Sequence, residues 1–507
     1  MVEAEYEDGP YQLRGPCTPK TRAAILSLLM AWATDDTNSQ VFFLNGLAGT
    51  GKTTISYSFC ELLEEAGLLG ASYFFSRTVD KSVIVRNVLP TISYQLVSSS
   101  MAAKDALRSS LERNDNIGSR NVERQFEELI RVPASKLGLP KRRVIVCDGW
   151  DEAEDRAEIC KLITLLLKHS SHIPIKIFIS SRPDPDIMET FNEEGSFTTR
   201  SSLLLHDIER HIVERDIRLY MEGQLEQMDK KGWISPERIG ILVQQAGKLF
   251  VYASAVCTYL LGCKGAEETA DRLKSIINPS HPKANDGSHV QPYSKLDVLY
   301  AQILTNAFQE REEDVKSVLS LVISASYPLV INHGISTLLE VKEYRVDNAV
   351  SCLQSVLTHS DQQPVAIFHT SFREYLLSDS RSGDKHLDIH QCHWLMLRCC
   401  LKVMQAELIK DNICNLDHKD ISQDSVAKEK ISGIISPALT YACTSWLSHL
   451  LELKQEQLAD PEVRNLLIGI FDQYILRWIE CMSLLGRLDD AVKLLRRMEL
   501  FENVSHI

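Results

Sequence analysis

The chain has 507 residues, enough for about three or four domains, and its 44% hydrophobic and 24% charged residues are ordinary for a globular protein. A formal charge of −13 at pH 7 gives no net basic field and argues against a general nucleic-acid binder. The 13 cysteines are odd in number and scattered, without a Cys-x-x-Cys pair, which suits free thiols in a reducing cytosol better than a disulfide framework.

Acidic residues crowd the N-terminus (Glu3, Glu5, Glu7, Asp8), so the pattern predicts no secretory or transit peptide. Residues 1–16 carry Gly9, Pro10, Gly15 and Pro16 and read as a linker. Thr18-Pro19 has the form of an N-cap followed by proline in a first helical turn, and Ile25, Leu28, Leu29 and Trp32 share a face of the helix expected there. The apolar run Val41–Leu44 then leads into Gly46-Leu47-Ala48-Gly49-Thr50-Gly51-Lys52-Thr53, with Thr54 next and a helical stretch to Glu65.

That octapeptide is a complete phosphate-binding loop. Its glycines let backbone N–H groups turn around an anion, Lys52 reaches outer phosphates, and the Thr53 hydroxyl suits a magnesium ion. The helix that follows adds unpaired N–H groups and the positive end of its dipole. A nucleoside triphosphate or diphosphate is the expected ligand; phosphates are what this loop reads, so ATP and GTP stay open.

Further apolar runs at 71–75, 144–147 and 175–180, and a weaker one at 203–205, alternate with helical patterns. Continuous apolar strands between helices predict a parallel sheet covered on both faces. Residues 105–127 are highly charged and are expected to form an exposed helical excursion. The run at 144–147 ends in Asp148-Gly149-Trp150-Asp151-Glu152. An acid at the carboxyl end of a buried strand faces the ligand crevice, so Asp148 is placed to hold magnesium opposite Thr53. Asp151 or Glu152, more plausibly Glu152, is placed to orient or deprotonate a water. Arg182 follows the run at 175–180 and is a candidate γ-phosphate contact, because a guanidinium suits planar oxygens and stays charged.

Beyond residue 207 strand signals fade. Helices are expected over Ile208–Met228 and Leu249–Leu261; the latter is too short to span a bilayer and reads as core. Residues 279–294 read as a linker, 295–385 as short helices with a hairpin near Ser360–Pro364, and 386–507 as helical, with Leu484–Ala491 resembling one helical-hairpin repeat. His390, Cys392, His393, Cys399 and Cys400 lack the ligand spacing of a tetrahedral metal site.

In order, FFLNGLAGTGKTTI, VIVCDGWDEAED and KIFISSRPDPDI resemble the motifs of a fungal NACHT-type signal-transducing (STAND) NTPase, and the P-loop region is similar to the nephrocystin-3-like N-terminal domain. CTPKTRAAIL resembles the family's lead-in, and GKLFVYASAVCTYL and FHTSFREYLL its helical and winged-helix segments. The fold class so implied is α/β plus all-α, a three-layer parallel P-loop domain (17–206) followed by a helical domain (207–278), a linker (279–294), a winged-helix-like unit (295–385) and a C-terminal helical region (386–507). The resemblance implies a cytoplasmic nucleotide switch of the fungal incompatibility or innate-immunity kind: ATP or GTP with Mg2+, slow hydrolysis, self-association in the triphosphate form, and protein partners it does not identify. Nucleic acid and membrane are not among the expected partners. It makes Arg182 the sensor arginine and His369 the winged-helix histidine that holds the diphosphate, and sets Thr21-Arg22 against the base. The proline many relatives carry in the helical segment is replaced here by Gly247-Lys248-Leu249-Phe250, so that contact does not transfer. The sequence shows no WD40 pattern and no effector domain ahead of the lead-in, so a form without these is expected. The alternatives are a nucleotide-bound scaffold that never turns over and a metabolic P-loop kinase, for which neither an acceptor pocket nor a basic lid is legible.

Overall fold

The computed structural model describes residues 15–499 except 38, 76–83, 115, 139–141, 154, 170–172, 193–199, 227–233, 264, 279–293, 326–333, 361–362, 415–430 and 432. The expected linkers at 1–16 and 279–294 lie almost wholly outside the described residues, as do the hairpin tip at 361–362 and the chain beyond 499. The chain forms two compact units, Met1–Asn285 and Asp286–Ile507.

The first unit runs α1 (Ala23–Thr34), β1 (Val41–Asn45), α2 (Lys52–Glu65), β2 (Leu69–Phe74), α3 (Ile84–Val97), α4 (Met101–Arg113), β3 (Arg143–Asp148), α5 (Arg156–His169), β4 (Ile175–Ser181), α6 (Pro185–Asn192), β5 (Arg200–Leu204), α7 (Arg210–Leu225), α8 (Pro236–Ala246), α9 (Phe250–Leu261) and α10 (Ala266–Ile277). The five strands form one sheet in the order β2-β3-β4-β1-β5, with every pairing parallel. β1 and β4 are buried along their whole length, as their unbroken apolar runs require.

Alternation along the strands divides the core. Phe42, Leu44, Val146 and Phe178 face α1 and α2 through Trp32, Ile55 and Phe59. Phe43, Ile145, Ile177 and Ile179 face the opposite layer, with Leu89 of α3 and Leu162 of α5. Each such buried side chain contributes about 2 kcal/mol, so packing on the sheet rather than local propensity holds these helices. The result is a helix–sheet–helix sandwich.

Two local expectations are corrected. The first helix starts at Ala23, not at Thr18. Thr18 instead closes a turn, its carbonyl accepting from Thr21 N (2.9 Å) and Thr21 Oγ1 (2.7 Å). Arg22 then takes a left-handed backbone (φ 55°) while its N–H donates to Asp216 Oδ2 of α7 at 3.0 Å. The charged stretch 105–127 is exposed only in part, because Ile117, Val122 and Phe126 turn into the core.

In the second unit, α11 (Ser294–Ser324) is broken at Arg311, and α12 (Glu343–Cys352) precedes an antiparallel hairpin of β6 (Leu357–Ser360) and β7 (Gln363–Ile367). α13 (Thr370–Leu376) follows directly. Next come α14 (Ile389–Glu407), α15 (Pro437–Leu451), α16 (Pro461–Gly469), α17 (Ile475–Leu484) and α18 (Leu488–Glu499), with no strand among the described residues. Trp446 and Trp478 meet edge to face at 5.7 Å in this helical core, and Trp478 Nε1 donates to Cys443 O at 2.7 Å. The last two helices form the hairpin anticipated from Leu484–Ala491. No described helix is long and apolar enough to cross a membrane.

Candidate functional site

The phosphate loop joins the buried end of β1 to the start of α2. Gly51 adopts φ 91°, which L side chains rarely reach, and a Cβ on Gly46 would lie 2.8 Å from Thr50 Oγ1 and 3.0 Å from Leu205 Cβ. The loop is thus closed tightly and needs glycine at both places. Lys52 is partly buried and turns back over it, donating to Gly46 O at 2.7 Å and Leu47 O at 3.2 Å. Burial lowers the Lys52 pKa; Asp151, Asp148 and Glu152 oppose that shift and Arg182 adds to it. Thr53 and Thr54 lie in the first turn of α2.

Strand order decides what faces the loop. β4 lies between β1 and β3, in register Leu44↔Ser180 and Cys147↔Ile179, so the residue after β4 emerges between the phosphate loop and the acidic turn. That residue is Arg182. Its Nε lies 3.0 Å from Asp151 Oδ2, and its backbone N–H donates to Asp151 Oδ1 at 2.9 Å. The acidic turn is a short 3-10 segment, Trp150–Glu152, anchored by Trp150, which is fully buried and packs on Phe75 at 5.7 Å. Arg156 fixes the turn from the other side through Trp150 O (3.2 Å) and Asp151 O (2.5 Å), and pairs with Asp184 at 3.3 Å. Asp151 is buried, whereas Glu152 keeps partial exposure.

Asp148 ends β3 and is buried. The Ser56 hydroxyl lies 2.6 Å from its Oδ1, and the Ser180 hydroxyl donates to the same oxygen. Ser56 is one turn beyond Thr53 on α2, so the two oxygen donors expected at a magnesium ion stand at one helix end. A carboxylate and a hydroxyl are hard oxygen donors, which fits magnesium. Sequence reading missed the two serines. Their signals are modest: Ser56 recurs four residues after Lys52 on one helix face, and Ser180 stands two before Arg182.

The lead-in reaches the loop from outside. Arg22 Nη2 donates to Thr50 O at 2.7 Å, its guanidinium lies 4.6 Å from the Phe250 ring centroid, and Val251 N–H donates to Gly49 O at 3.2 Å. The Gly247–Phe250 segment, which lacks the relatives' proline, therefore still meets the loop through the start of α9. His369 belongs to the second unit. It caps α13, its Nδ1 3.1 Å from Ser371 N and 2.7 Å from Ser371 Oγ, which in turn is 2.9 Å from Tyr300 OH. The structure thus brings Lys52, Asp148, Asp151, Glu152 and Arg182 to one sheet edge, and describes His369 within its own unit.

Residues 26–182, from α1 to Arg182, match the model of the family described as nephrocystin 3, N-terminal. No curated protein sequence matches the chain. Among solved structures, the chain is similar to a signal transduction ATPase with numerous domains (STAND) protein with a tetratricopeptide repeat sensor from Pyrococcus horikoshii. The two are 13% identical with a TM-score of 0.44, over 97% of this chain and 66% of that one. The chain thus spans slightly under two thirds of that protein's length. Two RuvB variants from Thermotoga maritima are each 10% identical over 69% of this chain and 92% of theirs, with TM-scores of 0.29 and 0.27.

Proposed function

We propose that this chain is a P-loop nucleoside triphosphatase acting as a conformational switch, with Mg2+ and ATP or GTP as its ligands. The observation that carries this reading is the convergence on one sheet edge of Lys52, curled over the loop carbonyls, with Asp148 and the Asp151–Arg182 pair. In this reading the loop 46–51 with Lys52, Thr53 and Thr54 cradles the phosphates. Thr53 and Asp148 hold magnesium, which when bound neutralises charge on the outer phosphates. Glu152, the partly exposed carboxylate, orients the attacking water, and Arg182 balances charge developing on the γ-phosphate.

The domains are read as a nucleotide domain (17–206), a helical domain (207–278), a winged-helix-like unit (295–385) and a C-terminal helical region (386–507). The contacts of Arg22 and Val251 with the loop supply a route from nucleotide state to the helical domain. His369 is assigned to the diphosphate in the resting form. The triphosphate form self-associates to engage protein partners in fungal-type defence or incompatibility signalling. Thirteen free cysteines support a cytosolic setting.

The test is Glu152→Gln. Turnover should fall about 1,000-fold while triphosphate binding persists. If the triphosphate form self-associates, the variant should also accumulate, by mass measurement, more of the assembled form than wild type does. Unchanged turnover would remove Glu152 from the mechanism.

A further inference from the structure

We infer that Asp151 is the resting partner of Arg182 rather than a catalytic base, and that a nucleoside triphosphate is told from a diphosphate when its γ-phosphate draws the guanidinium off that carboxylate. This rests on the nucleotide reading above and adds the step by which the site discriminates its two ligands.

The geometry assigns the roles. Both oxygens of Asp151 are taken up by the end of β4: Oδ2 by Arg182 Nε at 3.0 Å, and Oδ1 by the Arg182 backbone N–H at 2.9 Å, with Ser181 Oγ at 3.5 Å. The turn that carries it is fixed by Arg156 and by the buried Trp150. A buried carboxylate bound in this way is poorly placed to receive a water, while its neighbour Glu152 is partly open to solvent.

The same carboxylate serves a second cation. Among the nearby carboxylates, Asp151 does most to favour the charged form of Lys52. One anion therefore balances both Lys52 and Arg182. Phosphate oxygens compete for the same two cations, and a third phosphate adds charge beside the guanidinium. Leaving a buried carboxylate alone is expensive, but the backbone N–H of Arg182 and the Ser181 hydroxyl stay with Asp151 after the guanidinium leaves. Those two donors lower the cost of the exchange. A ligand shifts such an equilibrium only by its differential affinity for the two states, and the γ-phosphate supplies that difference.

The experiment is a double-mutant cycle on nucleotide affinity, with a fluorescent diphosphate and a non-hydrolysable triphosphate as probes. Asp151→Asn should raise triphosphate affinity roughly five- to tenfold more than diphosphate affinity, and that extra gain should vanish in an Arg182→Ala background. An equal gain with Arg182 absent would mean general electrostatics and would overturn the inference. So would loss of turnover in Asp151→Asn with unaltered binding, the mark of a catalytic base. If Asp151→Asn does not fold, the Arg182 Nε–H resonance of the wild-type protein, assigned with Arg182→Lys, gives the same decision. It should hold its position with diphosphate and move with the triphosphate analogue; movement with both, or with neither, overturns the proposal. Lys52→Ala keeps the two ideas separable: full nucleotide affinity there would sink the phosphate-loop reading itself.

Discussion

Lys52 and Lys176 stand at opposite edges of the same sheet, and each closes its ammonium on two backbone carbonyls. Lys52, at the carboxyl edge, donates to Gly46 and Leu47; Lys176, the second residue of β4, donates to Trp32 O at 2.5 Å and Asp35 O at 2.6 Å. The acceptors differ in kind. Those of Lys176 lie at the end of α1, where helix carbonyls lack intrahelical partners, and the Trp32 ring covers the ammonium at 5.1 Å from its centroid. Those of Lys52 belong to a glycine loop, and carboxylates and a guanidinium surround it. A buried lysine on carbonyls is therefore no sign of a site by itself; the sign is a set of neighbouring charges able to exchange partners.

The comparison can be broken from either side. Lys52→Ala should weaken nucleotide binding about 100-fold, a far larger effect than its loss in thermal unfolding of the first unit, as read by titration and calorimetry. Lys176→Met should do the reverse, costing about 2 kcal/mol in denaturant unfolding by leaving two carbonyls unpaired, with nucleotide affinity within about twofold of wild type. If Lys176→Met also lost nucleotide, the two edges would not be independent.

A pH titration sharpens the contrast with a smaller effect. Burial lowers both lysine pKa values. Phosphate binding at Lys52 raises its value again, so protons are taken up on binding there. Diphosphate affinity should hold from neutral pH up to the lowered Lys52 value and decline above it, by at most about tenfold per pH unit. Lys176→Met should follow the wild-type curve. A flat curve up to the ordinary lysine range would place the Lys52 ammonium outside the binding event.

Much of this was legible from residue order. The phosphate loop, the acid at 148, Arg182 and the strands β1, β3 and β4 follow from runs of apolar residues ended by glycine or charge, because a strand buried on both faces leaves an unbroken apolar signature; β5, with Arg200, Ser201 and Ser202, leaves only the weaker run at 203–205. The insertion of β4 between β1 and β3 was not legible, since strand neighbours are fixed by packing across the sheet and not by order along the chain. It is this insertion that brings Arg182 to Asp151. The serines around Asp148 were also missed: a serine four residues into a helix is common, and only the neighbouring strand gives it a partner. Thr-Pro is a strong local start signal and points to an N-cap at Thr18, four residues ahead of the N-cap found, Arg22. The long-range bond from Arg22 N–H to Asp216 overrides it.

The outward contacts of the phosphate loop have a consequence for its inward face. Peptide units are rigid planes with the carbonyl and the following N–H on opposite sides. Arg22 holds the Thr50 carbonyl and Val251 the Gly49 carbonyl, so the N–H groups of Gly51 and Thr50 are aimed away from those anchors. Any shift of the lead-in arginine or of α9 is therefore also a rotation of amide dipoles around the loop, and the stiffness of its anion cradle is set by residues that never touch the anion.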